Sequence, residues 1–291
     1  MKSKVYFTKE INPSSLVKLY NELGIKLEGK VAVKVHSGEK GNQNFLKPSF
    51  MKEIINYVNG TVVECNTAYE GSRDTTEKHI ETMKTHGWSD LFNIDILDSK
   101  EDIELSIPDG KVIKKNYVGK NIENYDSLLI LSHFKGHPMG GYGGALKQLS
   151  IGFASSKGKR YIHCVGKENG TYEDMFKVNQ DKFLEAMADS ASSITELFKD
   201  KIAYINVMAN MSVDCDCCAE AENPKIKDIG ILASLDPVAL DQACIDLVYN
   251  SSDEGKKDLI NRIESRNGIH TIETAYNLGI GFIDYEFINI D

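Results

Sequence analysis

The residues best able to do chemistry in this chain lie in one stretch, Ser132-His133-Phe134-Lys135-Gly136-His137-Pro138-Met139-Gly140-Gly141-Tyr142-Gly143-Gly144-Ala145-Leu146-Lys147. Two imidazoles four residues apart can ligate a metal or carry a proton. Glycines let backbone N–H groups come close to an anion, and Lys147 adds a point charge beside them. Gly140, Gly141, Gly143 and Gly144 are therefore expected to cradle a phosphate, a carboxylate or a cofactor tail. Their spacing matches neither a Walker A loop nor a dinucleotide-binding fingerprint. Gly136 and Pro138 argue against a helical histidine pair, so His133 and His137 stand as separate metal-ligand candidates.

The second concentration is Asp214-Cys215-Asp216-Cys217-Cys218. In an extended loop Cys215 and Cys217 point the same way, which suits two thiolates on one metal ion or Fe–S cluster. That pair needs further ligands, from Cys65, Cys164, a histidine or a substrate. Three free thiols in a reducing compartment are the plain alternative. Cys244 falls on the apolar face of a helix and is expected in the core. His36 and Lys34 share one face at a strand end; His36 is the general acid/base candidate, with His133 and Lys147 as the other catalytic ones. Lys34, Asn66, Arg73 and Lys135 are candidates for binding an anionic ligand, although Arg73 has Asp74 and Glu77 nearby as salt-bridge partners. His79 and His86, on a charge-rich helix, are expected to be solvated.

These residues must be positioned by the elements around them. Strand-like runs at 31–35, 61–64, 128–131, 202–207 and 229–233 alternate with helical patterns at 14–23, 48–58, 75–86, 179–198 and 237–249, the mark of an α/β fold with a largely parallel sheet. Asp236 and Pro237 form an N-terminal helix signal, and residues 98–120 read as a hairpin around Pro108-Asp109-Gly110. The candidate residues follow the carboxyl ends of strands, where parallel sheets bind ligands. A single domain over residues 1–291 is expected, with two closely packed lobes split near residue 160.

The 43 acidic against 34 basic residues give a net charge of -9, and no long basic run is present, which argues against nucleic acid. No apolar run is long enough for a membrane helix, and the first residues do not resemble a signal peptide, so a cytoplasmic protein is expected. Nothing in the sequence fixes the oligomeric state.

Five blocks, KVHSGEKGNQN (34–44), ECNTAYEGSRD (64–74), SHFKGHPMGGYGGALK (132–147), DCDCC (214–218) and DIGILASLDPVALD (228–241), resemble the domain of unknown function 362 family in its motif order. That resemblance implies an uncharacterised Fe–S centre protein. Many members carry a ferredoxin-type insert after the segment that here reads ASSKGK (154–159); this chain has none, so electron delivery would need a separate ferredoxin-type donor. The GGYGGALK stretch also resembles a loop of nickel-pincer lactate racemases, which implies cofactor contacts at His133 or His137 and Lys147, and a proton carrier such as His36. Together these readings predict a metal ion or Fe–S cluster in a strand-end cleft, serving redox or proton-transfer chemistry on a small anionic ligand. A metal-free enzyme using the 140–147 loop, and a metal or cluster carrier, are the competing readings.

Overall fold

Runs of apolar residues that stay buried at every position form the central strands of the computed structural model, which describes residues 2–291. In chain order the strands are β1 (Ser3–Thr8), β2 (Val31–Lys34), β3 (Gly60–Glu64), β4 (Ile94–Ile96), β5 (Asp102–Ser106), β6 (Lys115–Gly119), β7 (Ser127–His133), β8 (Lys135–His137), β9 (Gly141–Gly143), β10 (Ile202–Met208), β11 (Gly230–Ser234) and β12 (Tyr285–Asn289). The helices are α1 (Pro13–Glu22), α2 (Pro48–Tyr57), α3 (Thr76–Thr85), α4 (Ala145–Lys147), α5 (Ser156–His163), α6 (Gln180–Phe198), α7 (Pro237–Asn250), α8 (Lys256–Ser265) and α9 (His270–Asn277). Local chemistry sets several boundaries. Asp236 caps α7 by accepting from Val238 and Ala239, while Thr75 and Asn179 cap α3 and α6.

Eight strands make one sheet in the order β12-β1-β11-β10-β7-β2-β3-β4. The fold is α/β, as expected, with one difference: β11 is antiparallel to both its neighbours, and every other pair in the sheet is parallel. β7 pairs with β10, so the sheet is continuous across residue 160. The 98–120 segment contains the antiparallel pair β5-β6.

Side-chain alternation divides the strands between two cores. Val31, Val33, Val35, Leu129 and Leu131 join α1 and α2 on one face. Ala32, Leu128 and Ile130 face the other, with Leu146, Leu149 and residues of α6 and α7. Lys34 belongs by alternation to the second face. Loops leaving the carboxyl ends of β2, β3, β7 and β10 carry His36, Cys65, His133 to Lys147 and Asp214 to Cys218. Among the described residues, no helix is long and apolar enough to cross a membrane.

Candidate functional site

The cysteine loop is held in place by Asp216. Its buried carboxylate meets His133 Nδ1 at 2.9 Å and Lys135 Nζ at 2.9 Å, while its carbonyl accepts from Glu39 N–H at 2.8 Å. Burial raises the Asp216 carboxyl, but His133 and Lys135 outweigh it and hold the group well below the usual carboxylate range. Asn42 Nδ2 donates to the Cys218 carbonyl at 2.8 Å, tying the same loop to the segment after β2. The loop turns, with Cys218 N–H on the Cys215 carbonyl at 2.9 Å, where the sequence suggested an extended path. Even so, ligand atoms of Cys215, Cys217 and His137 all lie within 4.8 Å of one another, a group able to hold a metal ion.

The two histidines beside Cys215 are oriented by backbone donors. His137 Nδ1 accepts from Gly140 N–H at 2.9 Å and Met139 N–H at 3.2 Å, which leaves Nε2 for Cys215. His36 Nδ1 accepts from Gly38 N–H at 3.1 Å, and this ring too is a hydrogen-bond partner of Cys215. Burial pushes both imidazoles down to about 4, so both are neutral at physiological pH. A hydrogen bond with Cys215 lowers the Cys217 thiol, but the bond with Cys218 and burial outweigh it and push the thiol up to about 11.

His133 is arranged differently. Its Nδ1 faces Asp216 and its Nε2 lies 2.6 Å from the Ala209 carbonyl, so both ring nitrogens are taken by protein oxygens. Those contacts make the ring a brace for the cysteine loop. Lys135, bound to Asp216, has the same bracing role.

The glycine loop does cradle an anion, but the anion is the protein's own. Asp241, on α7, accepts from the N–H groups of Ala145 (2.8 Å) and Leu146 (3.0 Å), from Asn206 Nδ2 (2.7 Å) and from Tyr142 (3.2 Å). A Cβ at Gly144 would lie 2.5 Å from Asp241 Oδ1, and one at Gly141, where φ is +81°, would lie 2.9 Å from Gly268 Cα. Close packing therefore requires these glycines. Gly140, Gly141, Gly143 and Gly144 do not line the cavity described next.

That cavity, of about 340 Å³, opens beside the cysteines and is lined by Lys34, His36, Arg73, His137, Lys147, Gln148, Lys159 and Cys217 among others. Among the described residues, Glu64 is its only acidic lining group. Lys34 Nζ is 2.6 Å from Glu64, and Arg73 Nε is 3.1 Å from Glu39, a partner the sequence did not suggest. Burial raises Glu64, but Lys34 together with His79, His36 and Arg73 outweighs it, leaving the carboxyl well below its ordinary value. Lys159 Nζ donates to the carbonyls of Ala154 (2.6 Å) and Cys65 (3.5 Å) and to no carboxylate among the described residues. Burial pulls its amine below the ordinary lysine value. Lys147 likewise makes no ion pair among the described residues. It ends α4, which continues as a π-helical turn over Gln148–Gly152, a distortion that recurs at functional sites.

Other candidates lie outside this wall. Asn66 is absorbed by Asp98, Thr76 and His79. His79 is fully buried, between Ser37 (3.4 Å) and Asn66 (3.3 Å), and burial pushes it down to about 3; it is not solvated as its charged helix suggested. His86 is half-buried and its Nδ1 lies 2.9 Å from the Ser37 carbonyl. Cys244 is in the core as expected. Gln148, Lys159, Asp216 and Asp241 were missed as site residues. The proximity of Gln148 to Lys147 was the available signal for that residue, as its place between Cys215 and Cys217 was for Asp216; Asp241 acts through partners distant in sequence.

No curated protein matches the chain. Two solved structures are similar to it: the lactate racemase apoprotein from Thermoanaerobacterium thermosaccharolyticum, at 15% identity over 98% of this chain and 82% of that one with a TM-score of 0.46, and a Thermotoga maritima protein, at 9% identity over 91% and 58% with a TM-score of 0.40. A family profile matches residues 31–246, which include all the elements that build the cavity and the cysteine loop, and the chain belongs to the domain of unknown function family DUF362.

Proposed function

We propose that this protein holds one transition-metal ion through Cys215, Cys217 and His137, beside a cation-lined cavity that binds a small anionic ligand for redox or proton-transfer chemistry. The observation that carries this reading is the approach of those three ligand atoms within 4.8 Å, with His137 and Cys217 forming part of the cavity wall. Two thiolates and an imidazole suit zinc, iron, nickel or copper better than a hard, oxygen-seeking cation. A cluster held by four cysteines needs one thiol beyond Cys215, Cys217 and Cys218. Cys65 bonds to the Phe153 carbonyl, Cys164 to the Thr171 carbonyl, and Cys244 lies against Asn206. The donor set therefore favours a single ion over a four-cysteine cluster.

When bound, such an ion supplies a Lewis acid or a redox couple. The remaining roles fall to the chain. Lys147 and Lys159 attract the anion, and the neutral His36 ring, facing both Cys215 and the cavity, carries a proton to or from it. His133, Lys135 and Asp216 fix the cysteine loop. His137 would hold the ion at Nε2, and because Gly140 and Met139 N–H occupy Nδ1 the ring would do so as an imidazolate, its Nε2 proton passing to solvent.

Metal and acid-labile sulfide analysis of protein purified without oxygen tests this reading. Stoichiometric metal without sulfide is expected, with loss of that metal in Cys215→Ser and Cys217→Ser proteins of native circular dichroism. Full metal retention in both variants would overturn the ligand assignment. Sulfide with iron would replace the single ion by a cluster.

A further inference from the structure

The same cavity carries a more specific signature than positive charge. Gln148 is 8% exposed, lines the cavity, and its Nε2 is buried without any hydrogen-bond partner. An unmet buried donor is costly, and native proteins keep few of them. Lys147 and Lys159 line the same cavity, neither with a carboxylate partner among the described residues. Three donors lining one cavity call for acceptor oxygens.

Other residues lining the cavity are of another kind. Met175 is buried, while Tyr172 and Phe176 are 53% and 62% exposed, with ring centroids 5.1 Å apart in an edge-on pair. All three line the cavity. Exposed aromatic rings at the wall of a concave site are surface that an apolar ligand group can cover.

We infer that the ligand is an amphipathic anion, whose carboxylate or phosphate head meets Gln148, Lys147 and Lys159 and whose apolar body lies against Tyr172, Met175 and Phe176. This deepens the proposed function and rests on its anion-binding half, not on the metal. The head group neutralises the two unpaired amines and gives the Gln148 amide its missing acceptor. The body removes two exposed rings from water.

Isothermal titration of the full chain with acetate, hexanoate, inorganic phosphate and hexyl phosphate tests the assignment, with metal content measured on the same samples. The six-carbon probes are expected to bind at least about tenfold more tightly than their short counterparts, and the preferred series identifies the head group. Gln148→Ala should weaken both series by about tenfold, the effect of one hydrogen bond to a charged group. Phe176→Ala, at an exposed position outside the core, should weaken only the six-carbon probes. Equal affinity for long and short anions would overturn the apolar half, and no binding by any probe would overturn the whole. Those failures leave metal content untouched, whereas metal-free protein that still binds hexanoate or hexyl phosphate would sink the metal reading alone.

Discussion

Replacing Asp241 with asparagine tests how the loop bearing Lys147 and Gln148 is held. Asp241 is fully buried, and burial raises its carboxyl to about 6 despite the donors on both oxygens. The unfolded chain has the ordinary value near 3.8. Between these values the folded state binds the proton more tightly, so this group's contribution is full below the unfolded value and is lost as pH rises through about 6. A pH one unit below the folded value retains about 1.4 kcal/mol, a factor of about ten, and a pH well above it retains none. The asparagine side chain has no such titration. The stability gap between wild type and Asp241→Asn should therefore widen by about 1.4 kcal/mol on going from about pH 7.5 to about pH 5. At the higher pH the variant should already be less stable by about 1–3 kcal/mol, because its amide cannot accept from both Ala145 and Leu146 N–H. Urea unfolding followed by the fluorescence of the single, buried Trp88 gives both numbers. A gap that stays constant, or narrows toward pH 5, would refute the claim that burial outweighs the hydrogen bonds at Asp241.

Three other outcomes follow from the same geometry. Lys34→Met leaves Glu64 buried with its 2.6 Å partner removed, and should cost about 3–5 kcal/mol, while the Lys34→Met, Glu64→Leu double variant should lose less than the sum of the singles in a denaturation cycle. Gly144→Ala puts a methyl group 2.5 Å from Asp241 Oδ1; calorimetry should find it destabilised by about 1–3 kcal/mol. In metal-free protein, Cys218 should react first with iodoacetamide, because its bond with Cys217 lowers its thiol and it is only half-buried. Buried Cys65 and Cys244 should remain unlabelled until unfolding, as peptide mass spectrometry would report.

Strands β2, β3, β7, β10 and β11 and helices α1, α2, α3, α6 and α7 were legible because their signals are local, whereas β1, β4, β12, α5, α8 and α9 were not read. Alternation in Val31 to Lys34 and Leu128 to Leu131 places side chains on two faces, and Asp236-Pro237 marks a helix start within two residues. The direction of β11 was not legible, since its partners β1 and β10 are set by connections elsewhere in the chain. His79 misled for a related reason. Its helix is mostly charged, yet His79, Thr82 and Met83 form a narrow buried strip at helical spacing. The glycine loop suggested a bound anion, but the sequence could not say that Asp241, almost a hundred residues later, would take the N–H groups of Ala145 and Leu146.

The residue types in this site mean little until each one's partner is known. Lys34, Arg73 and Lys135 looked equivalent to Lys147 as cationic candidates, but Glu64, Glu39 and Asp216 meet the first three. A paired buried cation is held by its carboxylate, and moving it toward a ligand strands that carboxylate in a poor dielectric. An unpaired one gains from a ligand's charge without that loss. Lys147, Lys159 and the Gln148 amide are the cavity groups in the second condition, so a ligand's head is drawn to them and not to the more numerous paired cations. The same reasoning separates the histidines: His133 has both ring nitrogens committed to the fold, while His36 and His137 each commit one and keep the other for Cys215.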